Sequence, residues 1–316
     1  MLIRSKLVLS AVVSISALVA MFALQKYTVN IQQKLSTATT SVMEIEKEIF
    51  SLRKEEKDFL TRLDLVYLDK HQQNYADLVV LFNDVEQVLN DRNIPTSALD
   101  GVRNSVNLYL EAFNDIVDLQ KEIGLTPKTG LYGQLREAVH NVESILDANN
   151  ENALLVIMLQ LRRNEKDFML RNDIKYNDTF KENVGKFKQA VDSSYLSSDV
   201  KSQLQSNIEQ YQTAFQALVN KKQEFGLSET SGKMKQLRDA IYQTDTDREL
   251  LHDQTLAEIQ EAKDNGTYLG GGIFLLIALA LSIFTYYIIR SIITPVENIT
   301  RIISGIEKTK DLTMRC

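Results

Sequence analysis

Two apolar runs frame the chain, and between them hydrophobic positions recur every three or four residues. Leu7–Leu24 and Leu269–Ile289 hold 18 and 21 residues without a charge. Each is long enough to span a hydrocarbon core at ~1.5 Å per residue. The first run is long for a signal peptide, and Ala20-Met21-Phe22-Ala23 is a poor cleavage site, so an uncleaved anchor is the expectation over residues 1–24. Arg4 and Lys6 precede the first run, and Arg290 and Arg301 follow the second. The positive-inside rule then places both termini in the cytoplasm and residues 25–268 outside, which in a Gram-negative cell is the periplasm. Tyr268, Tyr286 and Tyr287 flank the second run, residues 269–289, as an aromatic belt.

Within 25–268 the 3-4 spacing predicts helix almost throughout, with no alternating strand pattern. Val102, Val106, Tyr109, Phe113, Ile116 and Ile123 keep one seam, with polar Gln120 in the same register. Leu204, Ile208, Tyr211, Phe215, Leu218 and Phe225 keep another, with Lys222 in the matching slot. Both read as bundle seams. Polar breaks at 62–64, 90–95, 147–152, 172–173 and 193–198 divide the segment into six helices: 25–62, 66–93, 96–147, 150–171, 174–195 and 197–266. Gly124, Pro127, Gly130 and Gly133 interrupt the third, and Gly226 and Gly232 the sixth, where kinks are expected.

The segment is also a repeat. Leu52-Arg53-Lys54-Glu55-Glu56-Lys57-Asp58-Phe59 returns 109 residues later as Leu161-Arg162-Arg163-Asn164-Glu165-Lys166-Asp167-Phe168. Tyr109–Phe113, Gly124-Leu125 and Gln134–Ala138 return 102 residues later as Tyr211–Phe215, Gly226-Leu227 and Gln236–Ala240. The difference is one heptad, which leaves the inward helix face unchanged. Counting rise along the six helices closes the path back to the membrane to within about 12 Å. That path stacks two four-helix bundles that share the long third and sixth helices, an all-α architecture. Arg53 and Arg238 then fall at about 42–45 Å from the membrane, with Tyr109 at their level. Arg136 and Arg162 fall near about 75 Å, with Tyr211.

Charge narrows the function. Of 36 Lys and Arg residues 7 lie outside 25–268, and of 42 Asp and Glu residues 3 do, so the segment carries a net charge of −10. That argues against nucleic acid as a partner. The single cysteine, Cys316, leaves no disulfide to staple the outer part. Two arginines at one height suit a small carboxylate, which guanidinium binds bidentately. The candidate ligand-binding residues are therefore Arg53, Arg238 and Tyr109 in the proximal bundle and Arg136, Arg162 and Tyr211 in the distal one. The competing reading is internal pairing, because Glu56 and Glu165 stand three residues after Arg53 and Arg162.

No catalytic set emerges. His71, His140 and His252 lack metal-ligand spacing, and Gly270-Gly271-Gly272 opens an apolar run rather than a phosphate loop. No metal or cofactor is expected. Asn177-Asp178-Thr179 fits a glycosylation pattern that arises often by chance.

After the second run, Thr294-Pro295-Val296-Glu297 leads into Ile299, Ile302 and Ile306 at 3-4 spacing, then Asp311-Leu312. This resembles the opening of a HAMP signal-relay domain over 290–316, broken off before its second helix and with Lys310 where a glycine is usual. With those residues in place, 25–268 resembles the helical bimodular sensor domain of bacterial methyl-accepting chemotaxis proteins, most specifically at Leu161–Phe168. In the first copy Lys54 and Glu55 depart from the Arg-Asn of the second. The resemblance implies an inner-membrane, two-pass homodimeric chemoreceptor that senses small organic acids and signals to cytoplasmic proteins. Two rivals remain: a sensor histidine kinase with the same outer domain, reading a periplasmic binding protein, and a structural coiled-coil membrane protein without a ligand. The second predicts filled bundles and fully paired arginines.

Overall fold

The computed structural model describes residues 3–309, with side chains described for 4–304. Among the described residues it is all-helical, with no strand. The described residues form nine α-helices in order: α1 (Ile3–Arg62), α2 (Val66–Asp91), α3 (Ser97–Ile123), α4 (Gly130–Ala148), α5 (Asn152–Arg171), α6 (Lys175–Ser193), α7 (Ser198–Phe225), α8 (Gly232–Leu250) and α9 (Leu256–Thr309). A five-residue π-helical turn, Leu251–Thr255, joins α8 to α9. α1 and α9 each contain a segment long and apolar enough to cross a membrane, and neither segment is buried by the rest of the chain. α9 continues through Pro295. The Asp311-Leu312 pair expected to open the HAMP connector, with Lys310 and Cys316, lies outside the described residues.

Four of the polar breaks end helices through a residue in the left-handed region: Leu63, Asn93, Asn150 and Asn172, with φ of 54°, 55°, 54° and 50°. Asparagine tolerates this geometry because its short amide bonds locally; Leu63 has no such help.

The expected glycine kinks are instead complete breaks. The third and sixth predicted helices each stop and restart, as α3 and α4 and as α7 and α8. The two breaks are copies of each other. Gly124 and Gly226 have φ of 123° and 122°, and Gly130 and Gly232 have 57° and 56°. The amides of Thr126 and Ser228 donate to the hydroxyls of Thr129 and Ser231, both at 3.0 Å. An added Cβ at Gly124 would stand 2.3 Å from the Thr129 carbonyl oxygen, and at Gly226 2.3 Å from that of Ser231. Only glycine fits there. Buried Gln120, the polar residue in the α3 seam, donates to the Gly124 carbonyl at 2.9 Å. It serves the loop rather than the apolar seam.

The chain divides into two compact units, one of Met1–Val42, Gln87–Ile94 and Gln254–Cys316, the other of Met43–Glu86 and Pro95–Asp253. In the first, the N-terminal part of α1 runs antiparallel to α9. Lys6 Nζ donates to the Ser291 carbonyl at 3.3 Å, Gln32 to Thr267 at 2.8 Å and Lys263 to Thr39 at 3.2 Å. Gly270 lies against Thr28.

The second unit holds both repeat copies. α4 packs on α5 and α7, and α6 packs on α5 and α7, around a core that includes Phe168, Phe180, Phe187, Tyr211 and Phe215. α3 packs on α8, and Phe59 of α1 and His71 of α2 pack on Phe113 of α3. The aromatic contacts repeat. Phe59–Phe113 and Phe168–Phe215 are edge-to-face at 5.9 and 5.6 Å, a geometry favoured by the ring quadrupoles.

Candidate ligand-binding sites

Two cavities in the second unit occupy repeat-equivalent places. One, of about 340 Å³, is lined by Leu63, the Gly124–Pro127 loop, Tyr132, Leu135, Arg136, Val139, Arg162, Glu165, Lys166 and Met169. The other, of about 570 Å³, is a shallower hollow lined by Arg53, Lys57, Leu60, Thr61, Glu229, Met234 and Arg238. The 109- and 102-residue offsets carry Arg162, Lys166, Met169, Pro127, Tyr132 and Arg136 onto Arg53, Lys57, Leu60, Glu229, Met234 and Arg238. Arg53 thus shares a cavity with Arg238, and Arg136 shares one with Arg162. Tyr109 and Tyr211 are not on either wall. They lie in the core behind, 2% and 0% exposed.

The helices explain the placement. Arg162 and Glu165 are one turn apart on α5, while Arg136 comes from α4, directly after the glycine-rich break. The loop lets the backbone close over one end of the cavity and starts α4 so that Arg136, Val139 and Tyr132 share its inner side. α1 and α8 do the same for Arg53 and Arg238.

Hydrogen bonding separates the two sites. In each, the arginine of the repeated motif has an acidic partner on a neighbouring helix. Arg53 Nη1 donates to Asp245 Oδ2 and Arg162 Nη1 to Glu143 Oε1, both at 2.7 Å. Asp245 and Glu143 are themselves repeat equivalents, 102 residues apart. The expected i,i+3 pairing of these arginines with Glu56 and Glu165 is not formed. In the proximal site Glu56, fully buried, instead accepts from Arg238 Nη1 at 3.1 Å, and Glu229 approaches Arg238 Nε at 3.8 Å. In the distal site buried Glu165 takes Lys166 and accepts from the Tyr211 hydroxyl at 2.7 Å. Arg136 makes no ion pair or hydrogen bond among the described residues. Its position relative to the loop is that of Arg238, but Pro127 stands where Glu229 would be.

The electrostatics follow. Burial pushes the Glu56 carboxyl above its usual range, against the pull of Arg238. Burial, then the adjoining Glu165 carboxylate, holds the Tyr211 hydroxyl well above its ordinary value, so it remains a donor. His71, beside Tyr109 at 3.2 Å, is pushed down to about 4 by burial, with Glu55 opposing. It is a neutral core residue. No cluster of metal-ligating side chains occurs among the described residues.

Sequence reasoning placed the four arginines in their two pairs and missed Glu143, Asp245 and Glu229. The first two carried a readable signal, an acid at equivalent positions of both copies. Glu229 carried none, because the matching position is Pro127. No protein-family model matches the chain, and no curated protein or solved structure does either.

Proposed function

We propose that the chain is the sensing part of a two-pass membrane receptor for small organic acids. Its second unit is two stacked four-helix bundles, α1, α2, α3 and α8 below and α4–α7 above, with the ligand held in a bundle wall. The observation that carries this reading is the pair of equivalent cavities, each lined by two arginines from different helices. Two guanidinium groups facing one hollow suit a carboxylate, and charge-assisted bonds to it are about twice as strong as neutral ones. A cavity of about 340 Å³ with Arg136 left without a protein partner on its wall favours a ligand over a filled, ligand-free scaffold.

In this reading 25–268 is periplasmic, both termini are cytoplasmic, and the receptor is an inner-membrane homodimer of the chemotaxis type. Binding biases the packing of the helices that lead into the spans. A displacement of about 1–2 Å along α1 or α9 is enough to pass a signal inward to a HAMP relay. The antiparallel pairing of α1 and α9 supports termini on one side.

The test is a thermal-shift screen of the full chain in detergent micelles against organic acids, amino acids and amines. A ligand at 100 times its dissociation constant adds about 2.7 kcal/mol. Stabilisation by acids is the expected result. Stabilisation by amines alone, or by none of the compounds, overturns the reading.

A further inference from the structure

We propose that only the distal cavity takes an acid, and that the acid is a monocarboxylate with an apolar body about the size of a phenyl ring. This rests on the reading of the chain as an organic-acid receptor and assigns its stoichiometry and ligand class.

The charge count in each cavity decides the stoichiometry. On the proximal wall Arg53 is matched through Nη1 by Asp245 at 2.7 Å and Arg238 through Nη1 by Glu56 at 3.1 Å, and Lys57 is the cation without an ion pair among the described residues. Glu229 adds a further negative charge at the mouth. Arg53, Lys57 and Arg238 are thus offset by Asp245, Glu56 and Glu229, three acids to three cations, and an incoming carboxylate meets like charge at the mouth. On the distal wall Arg162 is matched by Glu143, and Lys166 by Glu165. Arg136, an exposed side chain, is the unmatched cation here, and three cations face only two acids because Pro127 stands in place of Glu229. One free guanidinium calls for one carboxylate.

The walls decide the body. Around Arg136 the distal cavity is faced by Leu125, Pro127, Tyr132, Val139 and Met169, and its volume of about 340 Å³ is at the lower end of small-molecule sites. A second carboxylate has no unpaired cation to meet, and Glu165, 2% exposed, lies on the same wall. Like charges placed together in that way repel. Dicarboxylates are therefore rejected, and a one- or two-carbon acid leaves the apolar wall uncovered.

Calorimetry on the full chain in detergent micelles tests this with benzoate, acetate, succinate and benzyl alcohol. Benzoate is expected to bind once per chain, at least tenfold more tightly than acetate or succinate, and benzyl alcohol not measurably. Arg136→Gln weakens benzoate at least tenfold. Pro127→Glu, which writes the proximal acid into the distal loop, does the same. Its fold is safeguarded by the equivalent loop, which already carries Glu229 in the same conformation. Glu229→Gln leaves benzoate binding unchanged. Two benzoates per chain, or succinate binding that Arg53→Gln abolishes and Arg136→Gln spares, overturns the proposal while leaving the receptor reading intact. Binding of none of the acids, with the wild-type melting transition preserved, overturns the receptor reading itself.

Discussion

His71 holds in the first copy the place that Phe180 holds in the second. The His71 ring lies 4.5 Å from Phe113 at 39°, and the Phe180 ring lies 4.3 Å from Phe215 at 42°. The substitution puts one polar ring into the cluster of Phe59, Tyr109 and Phe113, whose equivalents Phe168, Tyr211 and Phe215 cluster with Phe180. Its Nε2 reaches the Tyr109 hydroxyl at 3.2 Å, while Tyr211 turns its own hydroxyl to Glu165. The two copies have kept the packing and changed the hydrogen bonding beneath it.

A pH dependence follows from His71. Its value falls from 6.5 when unfolded to about 4 when folded, so between these limits the unfolded chain binds the extra proton. The stability is complete above about pH 6.5 and is lost as pH falls toward 4, by up to about 3 kcal/mol. Glu56 works the other way, because its raised carboxyl loses stability as pH rises past the ordinary carboxylate range. His71→Phe should flatten the fall in melting temperature between pH 6.5 and 4. An unchanged profile would mean that another group sets it.

Tyr211→Phe should destabilise the chain without disturbing its core shape. The hydroxyl is the neutral donor to Glu165, and both groups are buried. A hydrogen bond to a charged group contributes about 1.5–3 kcal/mol. Denaturant melts of wild type and variant measure the difference. A loss below about 0.5 kcal/mol would show that Lys166 alone satisfies Glu165.

Glycine substitutions should split by position. Gly226→Ala meets the Ser231 carbonyl and a φ of 122°, so it should cost at least about 1–3 kcal/mol. Gly185→Ala, inside α6 with nothing within 4 Å of the new Cβ, should gain about 0.5–1 kcal/mol. Thermal melts of the two variants in parallel check the contrast. Equal shifts would contradict the loop geometry.

The repeat and the helical rise per residue were legible in the sequence, and they were enough to pair Arg53 with Arg238 and Arg136 with Arg162. Rise measures height along an axis, and height is what these pairs share. Azimuth was not legible. Arg53 and Glu56 lie on one helix face by spacing, yet Glu56 turns to Arg238 and Arg53 to Asp245. Which neighbour a side chain meets depends on how helices are rotated against each other, and spacing within one helix carries no such information. The glycine clusters marked the right places, but composition does not separate a kink from a break. The positive φ at Gly124 and Gly226 and the Thr129 and Ser231 hydroxyls decide for the break.

Protease added to spheroplasts carrying the full chain should cut within 25–268 and spare the stretch after Arg290. The expectation rests on the positive-inside rule applied to the charged flanks Arg4, Lys6, Arg290 and Arg301. The Lys6–Ser291 contact puts the two flanks side by side, as termini on one side require. Cleavage after Arg290 in intact spheroplasts, with the outer segment spared, would reverse the topology.

Glu56→Gln should turn the proximal cavity into an anion site. Glu56 is fully buried and accepts from Arg238, whose side chain is 24% exposed. Removing the carboxylate charge leaves Arg238 with Glu229 alone, 3.8 Å from its Nε. The loss of a charged hydrogen bond should lower stability by about 1.5–3 kcal/mol. An added anion should then restore it, because a ligand that binds only the folded state stabilises in proportion to the logarithm of its concentration. Melting temperatures of wild type and Glu56→Gln, measured against rising formate at constant ionic strength, separate the outcomes. A rise confined to the variant places the freed guanidinium in the cavity. Equal slopes for both proteins would show that Arg238 has found another partner, and that the internal carboxylate is not what closes the proximal site.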